Sequence, residues 1–293
     1  MLESLDAVVV DIQDVGTRVY TYATTVVYLM TACAAGGKEV IILDRPNPIN
    51  GRDVQGNVSR SDFASFVAPF PLPMRHGMTI GELMTFYNEV YNIGCQLTVV
   101  PMLGWNRSMW FEETSLPWVM PSPNMPTIET AVVYPGQVIL EGTSLSEGRG
   151  TTRPFEIFGA PFIEVERLLE AIPPETLAGA VLRNTEFRPT FNKWKGLICM
   201  GFQIHVVDRT HFRPLTASLG ITSALMRLYP QDFRWTEPPY EYVFDKLPMD
   251  IIMGDDTVRA DLEFGCAVPK MEEKWEEDLM AFQKQRKEFL RYS

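Results

Sequence analysis

The sequence predicts an α/β protein, with a parallel strand–helix–strand first half reaching to about residue 128 and an α+β second half over 129–293. Three observations carry that prediction. Two apolar runs that each end in an acid, "LDAVVVD" and "KEVIILD", flank a long apolar segment free of Gly and Pro. The same texture then recurs as far as "QLTVVP". Beyond Glu129 candidate strands and helices follow in a different, mixed order.

Residues 5–11 read as a strand buried on both faces, because a continuous apolar run leaves no polar face for water. Such a strand belongs in the middle of a sheet, yet only four residues precede it, so the chain reads as starting inside a domain. Val19 to Ala35 reads as a helix stopped by Gly36 and Gly37. "KEVIILD" is a second buried strand ending at Asp44, which completes a right-handed βαβ crossover. Thr79 and Glu82 have capping-box spacing, so a helix starts there and runs to about Ile93, where Gly94 stops it. "QLTVVP" supplies a third strand. After Glu129, "VVYPGQVIL" and "LICMGFQIHVVD" read as strands, and "FIEVERLLEAI" and "LTASLGITSALMRLYP" as helices. Near the C-terminus Met271, Trp275, Leu279, Phe282 and Phe289 form the core-facing stripe of a surface helix.

Composition excludes several classes of function. A formal charge of −11 argues against nucleic-acid or anionic-membrane partners, which need a basic face. No apolar run reaches the ~18 residues of a membrane span. The N-terminal residues show no signal-peptide pattern. Cys33, Cys95, Cys199 and Cys266 lie far apart and away from the histidines, so no metal site is expected. The GxGxxG fingerprint, the P-loop and the GxSxG elbow are all absent, and no cofactor is expected.

Ligands of open parallel sheets bind beyond the carboxyl ends of the strands. Those ends carry "DIQDVGTR", "DRPNPING" and "PMLGWNR", each polar, turn-rich and holding an arginine. A further stretch, "EGTSLSEGRGTTRPFE" at 141–156, sets three glutamates, two arginines and three glycines between apolar segments. That is more than a turn needs, so it is either a long solvated loop or the rim of a binding site. Carboxylates are the chemistry on offer: Asp11, Asp14 and Asp44 at strand ends, Glu141 and Glu147 in the second stretch. Paired carboxylates ~5–10 Å apart hydrolyse glycosides, one protonating the leaving oxygen and the other serving as base or nucleophile. Asp14 and Asp44 could equally cap turns, and Glu82 closes its capping box. Glu141 ranks above Glu147 because it closes the expected strand "GQVIL", whereas Glu147 sits among glycines. Tyr20, Tyr22, Asn47, Asn50, Trp105 and Asn124 add the aromatic faces and planar amides that bind sugars. His76 precedes a helix start and could carry a proton.

Taken in order, "DIQDVGTRVYTY", "DRPNPING", "RHGMTIGEL", "PSPNMPT" and "EGTSLSEGRGTTRPFEIFGAPF" resemble the NamZ-type exo-β-N-acetylmuramidases of bacteria, along essentially the whole chain. The resemblance implies a Rossmann-like first subdomain over 1–128, an α+β subdomain over 129–293, and a substrate cleft between them. It also implies release of N-acetylmuramic acid from the non-reducing end of peptidoglycan fragments, in a secreted or periplasmic setting. Family members carry an upstream "PEHG"-type motif whose glutamate is a leading candidate acid. This chain begins after that point, so a truncated member is expected, either a working exo-glycosidase or an inactive peptidoglycan-binding module of the same fold. The expected catalytic set is Glu141, Asp44 and Asp11. Around the substrate are expected Asp14, Arg18, Tyr22, Arg45, Asn47, Asn50, His76, Asn124, Glu147, Arg149 and Thr151. Arg149 or Arg18 should pair with the lactyl carboxylate, which suits a planar guanidinium. The glycines of 141–156 should let the backbone approach a sugar ring.

Overall fold

The computed structural model describes residues 2–293. Its first half runs through β1 (Ala7–Val10), α1 (Tyr22–Ala35), β2 (Glu39–Leu43), β3 (Gln55–Val58), β4 (Pro73–Arg75), α2 (Ile80–Val90) and β5 (Gln96–Val100). β1, β2 and β5 form a parallel sheet in the order β1-β2-β5, with Val8 opposite Val40 and Ile41 opposite Thr98. β3 and β4 pair antiparallel beside it. The central strand is β2. β1, expected in the middle, pairs only with β2 among the described residues, and its Val9 is 58% exposed. Val26, Met30, Leu83 and Phe86 of the two helices close a core over Val40 and Ile42. Helix α2 starts as its spacing requires: the Thr79 hydroxyl accepts from the Glu82 amide, and the Glu82 carboxylate accepts from the Thr79 amide.

The second half runs through α3 (Ile128–Gln137), β6 (Ile157–Ala160), α4 (Val165–Ala171), β7 (Ala180–Phe187), β8 (Cys199–Val206) and α5 (Pro214–Leu228). Four shorter helices follow: α6 (Pro248–Met253), α7 (Thr257–Glu263), α8 (Val268–Glu273) and α9 (Glu276–Arg286). β6, β8 and β7 form an antiparallel sheet in that order. "VVYPGQVIL", read as a strand, is instead the body of α3 and a 3-10 turn over Val138–Gly142. Thr127 caps α3 by accepting from the Thr130 amide, and every residue from Thr130 to Gln137 is buried. Without a polar face, the helical period leaves no trace in the sequence.

The two halves share one core, in which Val15, Val19, Tyr20 and Met74 pack with Val132, Leu145, Phe155 and Leu215. Arg18 ties them further. It is 2% exposed, and its guanidinium donates to the carbonyls of Asn57 at 2.8 Å, Leu72 at 2.6 Å, Ile252 at 3.0 Å and Met253 at 2.6 Å. The chain end also returns to the first half. Arg286 donates to the carbonyls of Gly51, Arg52, His76 and Gly77. The Tyr292 hydroxyl reaches Asp44 Oδ2 at 2.6 Å, and the Arg291 amide reaches Glu82 Oε1 at 2.7 Å.

Candidate active site

The carboxyl ends of β1 and β2 open onto two adjoining cavities, of about 430 Å³ and 320 Å³, which share Asp11, Arg45 and Leu116. Arg45 Nε donates to Asp11 Oδ1 at 2.6 Å, with the two side chains 40% and 48% exposed. Tyr22, at the start of α1, lines the smaller cavity and fixes its wall by donating to the Pro121 carbonyl. Asn124 is half-buried in the segment that follows Pro121. Trp105 lines the larger cavity, and its indole N–H has no partner among the described residues. Asp44 lines it too, but both of its oxygens are occupied. Oδ1 accepts from the amides of Arg45 at 3.0 Å and Gly81 at 2.8 Å. Oδ2 accepts from Thr79 Oγ1 at 2.8 Å and from Tyr292. Burial pushes its carboxyl up against these donors. Asp44, expected as catalytic, anchors the start of α2.

Several other residues expected at the substrate hold the chain instead. Arg18 is enclosed by backbone carbonyls, so no solvent-borne carboxylate can reach it. Asn47 accepts from the Ile49 amide at 3.1 Å and donates to the Met78 carbonyl at 3.0 Å. Asn50, at φ 66°, accepts from the amides of Arg52 and Asp53. Thr151 Oγ1 donates to the Gly148 carbonyl at 2.6 Å. These short polar side chains stabilise turns by mimicking backbone groups.

The stretch 141–156 is packed rather than solvated, with only Thr152 and Arg153 exposed. Glu141 stands in the 3-10 turn after α3, not at the end of a strand. Its Oε1 accepts from Arg149 Nε at 3.0 Å and Nη2 at 2.5 Å, and its Oε2 accepts from the Tyr240 hydroxyl at 2.7 Å. Buried Glu147 takes Lys193 Nζ at 3.0 Å and lies 3.5 Å from Arg149 Nε. Arg149 lies over the Phe155 ring at 5.1 Å and keeps 27% exposure. The glycines serve the loop's own folding: a Cβ at Gly150, φ +81°, would stand 2.7 Å from the Phe191 carbonyl oxygen.

A file of rings joins this cluster to the first half: Tyr22 to Tyr20 at 4.9 Å, Tyr20 to Tyr134 at 6.1 Å, and Tyr134 to Phe155 at 4.8 Å. Asp14 lies near the Tyr20 end of the file. Its Oδ2 accepts from the Gly16 amide at 2.7 Å, while Oδ1 is buried with no partner among the described residues. Burial pushes this carboxyl up to about 6. His76 Nε2 lies 3.7 Å from Asp14 Oδ2, and its Nδ1 accepts from the Met78 amide. Burial, with Arg286 and Arg75 nearby, pushes His76 down to about 3. It is therefore a neutral neighbour of Asp14 rather than a carrier of charge.

Comparison with known proteins agrees with this architecture. The N-terminal domain of exo-β-N-acetylmuramidase NamZ matches residues 1–129, and its C-terminal domain matches 132–292. The chain belongs to the NamZ family. It is 43% identical over 292 residues to the peptidoglycan β-N-acetylmuramidase NamZ of Bacillus subtilis (strain 168), covering 100% of this chain and 69% of that one. Two DUF1343 family proteins of Bacteroides fragilis NCTC 9343 share the fold. One superposes with a TM-score of 0.88 at 31% identity, over 100% of this chain and 76% of its own. The other does so with a TM-score of 0.77 at 30% identity, over 98% and 76%. In this NamZ chain, sequence reasoning missed Tyr134, Lys193 and Tyr240. Tyr134 was hidden in a misread helix, and Lys193 and Tyr240 reach the cluster from loops far along the chain.

Proposed function

We propose that the chain is an exo-acting glycoside hydrolase that releases N-acetylmuramic acid from the non-reducing end of peptidoglycan fragments, working outside the cytoplasm. Its NamZ domains and its likeness to a peptidoglycan β-N-acetylmuramidase support this reading. The observation that carries it is a pair of carboxyl groups in opposed surroundings along the tyrosine file, Asp14 near Tyr20 and Glu141 near Tyr134. Burial keeps Asp14 protonated further toward neutrality than an ordinary carboxyl, as a group that protonates a leaving oxygen requires. Glu141 is locked between Arg149 and Tyr240, with the geometry of a carboxylate that orients or attacks. Arg149, partly exposed and held over the Phe155 ring, supplies the fixed cation that a lactyl carboxylate needs.

Two substitutions test the assignment with a chromogenic N-acetylmuramic acid glycoside. Glu141→Gln keeps the volume of the side chain and should lower kcat on the order of 10²-fold or more. A near wild-type rate would return Glu141 to a purely structural role. Arg149→Ala should weaken turnover of the muramic substrate far more than residual turnover of the N-acetylglucosamine analogue, which lacks the lactyl group. Equal losses on the two substrates would exclude a carboxylate contact. Melting temperatures of both variants separate these effects from loss of the Glu141–Arg149 pair.

A further inference from the structure

We propose that an aromatic groove beside the Glu141 cluster binds the neutral sugar that follows the terminal residue of the glycan, an added subsite that rests on the muramidase reading above. The groove is about 700 Å³ and lies between α1 and the segments around Phe66 and Tyr242. Tyr28 and Tyr242 are 53% and 79% exposed along it. Phe66 lies between them, 5.9 Å from Tyr28 at 38° and 5.8 Å from Tyr242 at 86°, so the rings form a corner. Exposed apolar surface of this kind is costly unless something covers it, and sugar rings present C–H faces to aromatic planes.

Three observations say what covers it. The first is continuity with the site. Tyr240, whose hydroxyl donates to Glu141, pairs with Val243 through backbone bonds of 2.9 Å in both directions, and the turn between them carries Glu241 and Tyr242 into the groove. The second is conformational. Glu241 at φ 44° and Tyr242 at φ 70° both occupy the left-handed region, which two-residue hairpin turns normally fill with Asn-Gly. An aromatic side chain is thus presented at a cost to the fold, as strained residues at ligand sites are. The third is chemical. Glu241 is the one charged residue lining the groove among the described residues, and it would repel a lactyl or peptide carboxylate. A neutral hexosamine ring fits; an acidic one does not.

The test compares a peptidoglycan tetrasaccharide with a non-reducing N-acetylmuramic acid end against the chromogenic monosaccharide. Tyr242→Ala and Phe66→Ala should raise KM for the tetrasaccharide about tenfold, the effect of one lost ring stack. KM for the monosaccharide should stay within about twofold. Equal changes on both substrates, or none, would overturn the subsite. Calorimetric binding of the tetrasaccharide keeps the question open to measurement independently of turnover. If the wild type hydrolyses neither substrate, the muramidase reading fails, yet the subsite still predicts binding that Tyr242→Ala weakens. Absent binding, or binding indifferent to Tyr242, would overturn it. A concentration-dependent dimer lost in Tyr242→Ala, with glycan binding unchanged, would assign the groove to a second copy of the chain and overturn it as well.

Discussion

Arg18→Met is expected to lower the stability of the fold by about 4 kcal/mol or more. The wild-type guanidinium donates to carbonyls of both halves at a point that water does not reach. Methionine fills a similar volume but donates nothing, so buried carbonyls lose their partners at ~1–3 kcal/mol each. Arg18→Lys should recover only part of the loss, because one ammonium cannot span the positions that a planar fork reaches. Denaturant titration followed by circular dichroism measures both variants. A loss below ~1 kcal/mol for the methionine variant would show that the carbonyls find other donors.

Asp14→Asn should act in the opposite direction on stability, raising it near neutral pH by up to ~3 kcal/mol, while lowering turnover on the order of 10²-fold. Burial raises the carboxyl from 3.8 to about 6. Between those values the folded chain holds a proton that the unfolded chain has released, so stability falls as pH rises through the window. Above about 6 the full penalty is present. Asparagine carries no such penalty and still offers an oxygen to the Gly16 amide. His76 runs the other way: held at about 3 instead of 6.5, it lets stability rise as pH climbs through that range. In the wild type the two slopes oppose each other between about 4 and 6. In Asp14→Asn the largest opposing carboxyl is gone, so stability should rise more steeply, or fall less, than in the wild type as pH climbs between about 4 and 6. A variant less stable than wild type at pH 7 would show that the ionised carboxylate is a net contributor to the fold. Stabilisation with activity lost would mark a group kept at the fold's expense for chemistry.

The parallel sheet and the start of α2 were legible because they depend on local pattern: apolar runs of strand length, and a threonine and glutamate at capping-box spacing. The α3 helix was not, since a segment buried all round has no period to read. Among the site residues the difficulty was of another kind. Arg18 and Arg149 look alike in sequence, each in a polar, glycine-containing stretch, yet one ends among backbone carbonyls and the other on an ion pair at a partly open surface. Only long-range packing separates them. The same holds for Asp44, whose place at a strand end was read correctly while the donors that occupy it come from Thr79, Gly81 and Tyr292. In 141–156 the dense charge suggested contact with water, but Glu141, Glu147, Arg149 and Lys193 largely satisfy one another.

The return of residues 286–292 to the first half bears on how the molecule comes into being. A ribosome delivers residues 1–128 well before the segment that satisfies Asp44, Glu82 and the carbonyls of Gly51 and Gly77. Domains in general settle in the order in which they emerge. Here the earlier half must wait with its strand-end loops unbraced, and Arg18 waits with it for the carbonyls of Ile252 and Met253. Nascent chains therefore carry these unbraced loops until residues 286–292 have emerged.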